Sequence, residues 1–351
     1  MWEMITEAVA SPPLMIEESG VLSPEAKALL EHIVWGTEGA LYWVKNYPES
    51  LSAIPDLRYL YLKKNGRLIG LRIMAPKRVR INGQSCQAVY NALFAIDPSE
   101  RGKGYGKRLA QTTLEYSRSY LHGKGLVYAF TEAANVRSSG IKIAQGYQPI
   151  GRFHTIAFSR FFPRKSQRTN RLPEERRNEM VQRLSEQYAS HALADFATSV
   201  LPERYYVLQE GREIVAGLQV AFQHWKIMRL EGAGGFIALH AVPHIPLLRD
   251  LLNPADFRFI RIGNIYFRQD RPAAVYELIE SVLATHRLKT AISFLDKTSP
   301  AYQALARSGR FGIVNQLTET AVDVTAFLQG FSPVEIDELR RQPLAISLLD
   351  I

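Results

Sequence analysis

One stretch of this chain is written twice. Tyr59-Leu-Tyr-Leu-Lys-Lys-Asn-Gly66-Arg67-Leu-Ile-Gly70-Leu71 returns, with small slips in length, as Tyr205-Tyr-Val-Leu-Gln-Glu-Gly211-Arg212-Glu-Ile-Val-Ala-Gly217-Leu218. Each copy reads as a β-hairpin, with β-like runs on both sides of a glycine turn. A proline-started helix precedes each, at Ser23-Pro24-Glu25 and at Leu172-Pro173-Glu174. After each comes strand, helix, strand, helix and further strand. In the second half these are expected at 260–267, 272–285, 290–295 and 300–308, with strands again from Phe311 and from Thr320. Solenoid repeats are far shorter, so the pattern implies a duplicated domain. A chain of 351 residues has room for two such units. The expected division is an extension over 1–21, a first unit over 22–162, a basic linker over 163–171, a second unit over 172–330, and a helix with an apolar tail over 331–351.

Composition narrows the function classes. Hydrophobic residues at 46% and charged residues at 22% fit two folded cores and exclude wholesale disorder. Lys and Arg outnumber Asp and Glu by 43 to 34, a net charge of +9 that favours acidic ligands in general. The single cysteine, Cys86, allows no intrachain disulfide and no cysteine-rich zinc site. Glu3, Glu7, Glu17 and Glu18 spoil any signal-peptide pattern at the start, and no apolar run is long enough to span a membrane. The expectation is a soluble cytoplasmic protein. His240 and His244 have a helical metal spacing, but Pro243 between them breaks the helix, so no metal is expected. The nucleophile elbow of serine hydrolases is absent.

The chemistry is concentrated in Arg101-Gly102-Lys103-Gly104-Tyr105-Gly106-Lys107. This segment follows the strand ending at Ile96 and opens a helix. Such a turn aims several backbone N–H groups and the positive end of a helix dipole at a phosphate. It is not a P-loop, because no Gly-Lys-Ser/Thr closes it, and the glycine spacing is not the dinucleotide fingerprint.

The segment resembles the acyl-CoA pyrophosphate loop of the GNAT superfamily of N-acetyltransferases, Arg/Gln-x-x-Gly-x-Gly/Ala, with Arg101, Gly104 and Gly106 in the fixed places. Leu93-Phe94-Ala95-Ile96-Asp97-Pro98 resembles that family's bulged fourth strand, and Asn135 followed by Gly146-Tyr147 its Asn…Gly-Phe segment. The resemblance covers residues 22 to 162. It implies two tandem α/β (α+β) domains, each a mixed, mostly antiparallel twisted sheet flanked by helices, the C-terminal copy degenerate. It implies acetyl-CoA as cosubstrate, held by backbone near Phe94, Ala95 and Ile96, by Arg101, Gly102, Lys103, Gly104, Tyr105 and Gly106, and by Asn135. The acceptor would be an amine of a small molecule or peptide, acetylated by direct transfer.

Departures from the family bear on catalysis. Many members place a tyrosine seven residues after the asparagine, poised to protonate the departing thiolate; here that position is Lys142. It could meet the thiolate with charge or lie on the surface of a short helix. The fourth strand offers Tyr90, Asn91 and Ala92 and no carboxylate, which leaves Glu132, at the end of the next strand, as the candidate base or as a loop residue in water. The second copy reads Arg268-Gln-Asp-Arg-Pro272 where the glycine turn would stand, and should not hold CoA in the usual way. Its expected role is to wall the acceptor site. Two other readings remain open: a CoA-binding or interaction module that has lost catalysis, and a basic nucleic-acid-associated protein. Against the last, the linker lacks interleaved aromatics and any recognised binding module.

Overall fold

The computed structural model describes residues 13–36, 39–47, 51, 54, 56–317 and 320–350. Among these residues, fourteen strands are hydrogen-bonded into one mixed, mostly antiparallel sheet. They are β1 (Leu14–Ser19), β2 (Trp35–Gly36), β3 (Ala40–Val44), β4 (Arg58–Lys64), β5 (Arg67–Ile81), β6 (Gln84–Ile96) and β7 (Gly125–Glu132), followed by β8 (Gln148–Ser159), β9 (Thr169–Arg171), β10 (Tyr205–Glu210), β11 (Glu213–Leu230), β12 (Phe257–Phe267), β13 (Thr290–Leu295) and β14 (Ala321–Gln329).

The order across the main sheet is β1-β4-β5-β6-β7-β14-β8-β13-β12-β11-β10-β9. Read inward from either edge, the two halves match: an edge strand, a hairpin, a third antiparallel strand, then a parallel neighbour. The parallel pairs are β6 with β7 and β12 with β13. The innermost strands cross between the halves: β14 pairs with β7, β8 pairs with β13, and the two pair with each other. The halves are therefore joined by main-chain hydrogen bonds through the middle of the sheet.

Local chemistry explains the elements. Asn65-Gly66 and Asn82-Gly83 turn their hairpins with positive φ at all four residues, 50° and 78°, then 50° and 76°, as a two-residue type I′ turn requires. Ser23 caps the helix Pro24–His32 by accepting from Ala26 N, and Asn135 caps Val136–Ala144 by accepting from Ser138 N. The helix Tyr105–Ser119 buries Leu109, Thr113, Leu114 and Ser117 against the sheet, a stripe at helical spacing. Its counterpart, Ala274–His286, is buried more fully, from Ala274 through Leu283.

Several expectations need correction. The last part of the first half is one continuous strand, Gln148–Ser159. No strand starts at Phe311; a short helix, Val314–Leu317, lies there. The first part of the expected extension, 1–12, lies outside the described residues, and the rest supplies β1, paired along β4. Thr169–Arg171, within the expected linker, is an edge strand on β10. The tail packs on the sheet: Leu344, Ala345, Leu348 and Leu349 are buried, and Ile351 lies outside the described residues. Glycines make room for it, since a Cβ on Gly151 would stand 2.5 Å from Leu344 Cδ1 and one on Gly263 would stand 3.1 Å from Leu348 Cβ.

Candidate active site

The site begins where two parallel strands part. β6 and β7 are paired only from Gln87–Tyr90 to Gly125–Tyr128. Beyond that, β6 carries a bulge: Arg72 and Met74 of β5 face Phe94 and Asn91, so Ala92 and Leu93 oppose Ile73 alone. The bulge bends Asn91–Ile96 away from β7 and frees its edge. The resulting V opens into a cleft of about 870 Å³.

At one end of the cleft lies the glycine turn. Gly102 and Gly104 have φ of +82° and +83°, and a Cβ on either would meet nothing within 4 Å. Glycine is needed there for its conformation, and the space above it is open. Gly104 is the N-cap of the helix Tyr105–Ser119, so the helix N–H groups face that space. Arg101 anchors the turn by donating from Nε to Ile96 O at 3.2 Å. Beneath, the buried carboxylate of Glu100 accepts from Lys103 at 2.9 Å and is paired with Lys64 and Arg67. Those hydrogen bonds and charges hold its carboxyl below the usual range.

The expected binding residues are mostly brought together. Phe94, Ala95, Ile96, Arg101, Gly102, Gly104, Gly106 and Asn135 line the cleft. Two side chains do not. The ammonium of Lys103 is engaged by Glu100, and the ring of Tyr105 lies under Lys64, 5.5 Å from its Nζ. Lys107 lines the cleft instead.

The two catalytic candidates line the same cleft. Lys142 is not on the surface: it is 8% exposed, faces the cleft, and its Nζ has no hydrogen-bond partner. Burial, then the charge of Arg72, bring its pKa down to about 7. Asn91, 2% exposed, links the bulge to the helix Tyr105–Ser119 and to the residue before β8, accepting from Ser117 Oγ at 3.0 Å and donating to Tyr147 Oη at 3.1 Å. Glu132 closes β7 opposite Val322 of β14 and lines the cleft. It accepts a hydrogen bond from the Tyr42 phenol, whose pKa is pushed well above 10 by burial and then by the charge of Glu132.

The far wall comes from the second half. Trp225, Ile227, Leu230, Phe257 and Ile292 face the same cleft. They arrive because β3 pairs with β11, bringing Tyr42 opposite Ile227. Tyr42 stacks on Trp225 at 4.3 Å and 11°. In the second half, the connection from β12 to Ala274–His286 has no glycine and is closed by ion pairs, Arg268 with Glu213 and Asp270, and Arg271 with Glu210. Sequence reasoning missed Arg72, Tyr42 and the apolar wall. Arg72 left a signal, a lone cation inside Leu71-Arg72-Ile73, whereas the wall left none.

Among the described residues, no group of His, Cys, Asp and Glu could hold a metal ion, and no helix is long and apolar enough to cross a membrane.

Comparison with known proteins agrees with this geometry. Residues 28–141 match the model of the acetyltransferase (GNAT) family. No curated protein matches the chain. Saccharomyces cerevisiae N-myristoyltransferase with bound myristoyl-CoA superposes with a TM-score of 0.61 at 8% identity, over 97% of this chain and 86% of that one. A second structure of that enzyme gives 0.59 at 10% identity, over 96% and 91%. The GCN5-related glucosamine N-acetyltransferase region of a fungal multi-domain β-N-acetylglucosaminidase gives 0.57 at 11% identity, over 92% of this chain and 39% of that one. At such identities the likeness is one of fold. The match to the GNAT family model thus spans about a third of the chain, and the fold over nearly its whole length is like that of N-myristoyltransferase.

Proposed function

We propose that this protein transfers an acetyl group directly from acetyl-CoA to an amine of a small molecule or peptide. The observation that carries the reading is the continuity of one cleft. It runs from the glycine turn at a helix N-terminus, along the freed edge of Phe94–Ile96, to Lys142 and Glu132. The turn and Lys107 suit the diphosphate, and the unpaired strand edge suits the amides of the pantetheine arm. Asn135 shapes the mouth by fixing the start of its helix. Glu132, hydrogen-bonded by Tyr42, takes the proton the amine must lose, directly or through water. The ammonium of Lys142 meets the sulfur as it leaves.

The matched strand order supports reading the chain as two copies, 22–162 and 172–330, that have exchanged their last strands. On this reading the second copy has given up its own phosphate turn to ion pairs and lends the first an apolar wall. That wall favours one variant of the reaction, in which the acyl chain is longer than acetyl. The likeness to a fold that holds myristoyl-CoA points the same way.

The test measures free thiol release with acyl-CoA esters from acetyl to myristoyl, across a panel of amines and N-terminal peptides. Turnover restricted to short chains supports acetyl transfer, and turnover rising with chain length supports the variant. Binding of every ester without release under all acceptors would leave a CoA-binding module and overturn the enzyme.

A further inference from the structure

The basic stretch that follows β8 takes no part in the cleft. It opens Arg160-Phe161-Phe162-Pro163-Arg164-Lys165, and the two phenylalanines are 37% and 74% exposed. One apolar side chain in water is ordinary, whereas two side by side within a field of cations mark a contact surface. The segment is held by its backbone. Lys289 Nζ donates to Phe161 O at 2.6 Å, Arg164 N to Glu280 Oε1 at 3.1 Å, and Ser166 N to Ser281 Oγ at 2.9 Å. Glu280 and Ser281 belong to the helix Ala274–His286. With its polar backbone fixed on that helix, the segment leaves its rings and the side chains of Arg164 and Lys165 exposed.

The cations around the rings are not neutralised. Glu280 is paired with Arg160 at 3.6 Å, and Glu277 with Arg168 at 2.6 Å. Among the described residues, no carboxylate pairs with Arg164, Lys165 or Lys289, nor with Arg287, Arg307 or Arg310. The Lys289 ammonium lies 5.6 Å from the centre of the Phe162 ring. Arg310 is joined to the same face through Arg160, whose Nη2 donates to Arg310 O at 2.7 Å. Both of those guanidinium groups lie 5.9 Å from the Tyr276 ring centre. Like charges gathered in this way repel one another, and an anionic surface relieves them.

We infer that this face docks the protein reversibly on an anionic phospholipid bilayer, with Phe161 and Phe162 entering the interface and the cations at headgroup depth. Charge complementarity selects an anionic partner, and the rings select among anions. Lys289 covers one face of Phe162, and a stacking base would compete with it for the ring. A ring that enters lipid beneath a lysine at the headgroups keeps that contact. Apolar insertion and polybasic attraction are two weak signals that together give reversible attachment. β8 carries this face four residues beyond Thr155, which lines the cleft, or about 13 Å along the strand. No residue of the patch lines the cleft, so a docked molecule keeps its substrate site.

The experiment cosediments the full chain with vesicles of phosphatidylcholine alone, and of phosphatidylcholine with roughly a third phosphatidylserine. Partition onto the anionic vesicles should exceed that onto the neutral ones about tenfold or more, and should fall as salt rises. Phe161→Ala with Phe162→Ala, and separately Arg164→Glu with Lys165→Glu, should each lower it about tenfold. Phe236→Ala, which removes an exposed ring from the helix Gly232–His240, should leave it unchanged. Phe162→Trp should shift its added emission to the blue on anionic vesicles, as the ring leaves water. Equal partition onto the two vesicles, or an unshifted Phe162→Trp emission, overturns the docking face even if the double phenylalanine variant does not fold. A single-stranded RNA oligomer that strips the chain from the vesicles, and binds the phenylalanine variant equally well, would make this a nucleic-acid surface instead.

Discussion

Lys77 on β5 donates to the Asp350 carboxylate at 2.5 Å, joining the first half of the sheet to the tail 273 residues away. Both side chains are buried, with 11% and 3% exposed, and Asp195 lies 3.8 Å from the same ammonium. Removing Lys77 leaves both carboxylates buried without their cation, a loss of about 3–5 kcal/mol. Lys77→Met should lower stability by that order in chemical denaturation, and Asp350→Leu by less, because Asp195 still faces the ammonium. The double variant should recover part of the loss. Additive losses would show that the pair is not coupled.

The glycine turn gives a sharper test of ligand binding. Acetyl-CoA should raise the melting temperature, because a ligand that prefers the native state stabilises it. Gly104→Asp puts a β-carbon at a positive φ and a negative charge beside the diphosphate. The ligand-induced shift should vanish. Gly104→Ala carries the strain without the charge and should keep a reduced shift. A full shift in Gly104→Asp would place the phosphates elsewhere.

Much of this site was legible before any coordinates, and the reason is local. Gly102, Gly104 and Gly106 announce themselves because a turn at a helix start must be built from consecutive residues. Asn135 does so because a cap sits beside its helix. Lys142 and Glu132 could be named from the resemblance, but their surroundings could not. Whether Lys142 is solvated depends on β14, a strand nearly 180 residues later that is inserted beside β7. The pairing of β14 beside β7 and β8 leaves no mark on any of these strands, since each alternates as a β-strand would with any neighbour. The apolar wall is hidden for the same reason: Trp225 reads as an ordinary strand aromatic until β3 brings Tyr42 against it.

Glu132 is tested through its proton. Glu132→Gln keeps the shape and the bond from Tyr42 but cannot take a proton from an amine. Turnover should fall about 10²-fold or more, with acyl-CoA affinity nearly unchanged. Tyr42→Phe should produce a smaller loss, because it removes only the phenol that holds the carboxylate. Equal rates in Glu132→Gln and the unaltered protein would move the base elsewhere.

Trp225 reports on the second half's contribution. Its ring stacks on Tyr42 and meets Phe259 edge-on at 4.9 Å. Trp225→Ala should raise the KM for the acceptor, or for a long acyl chain, several-fold, while the CoA-induced melting shift persists. An unchanged KM for both substrates would separate this wall from the substrate.

Lys142 makes stability itself depend on pH in a direction opposite to that of an ion-paired lysine. Its pKa is about 7 in the folded chain against 10.5 when free. Between those values the unfolded chain binds the extra proton, so its contribution to stability rises with pH across that window. Below pH 7 the folded protein must bury the charge, and the full penalty applies. Lys142→Met removes the charge and keeps an unbranched side chain of similar length. Its stability should therefore exceed that of the unaltered protein at pH 6, and the gap should narrow steadily toward pH 10.5. Denaturant midpoints taken across that range decide the matter. A gap that stays constant with pH would mean that Lys142 keeps an ordinary pKa, and that its ammonium is solvated rather than held in reserve inside the cleft.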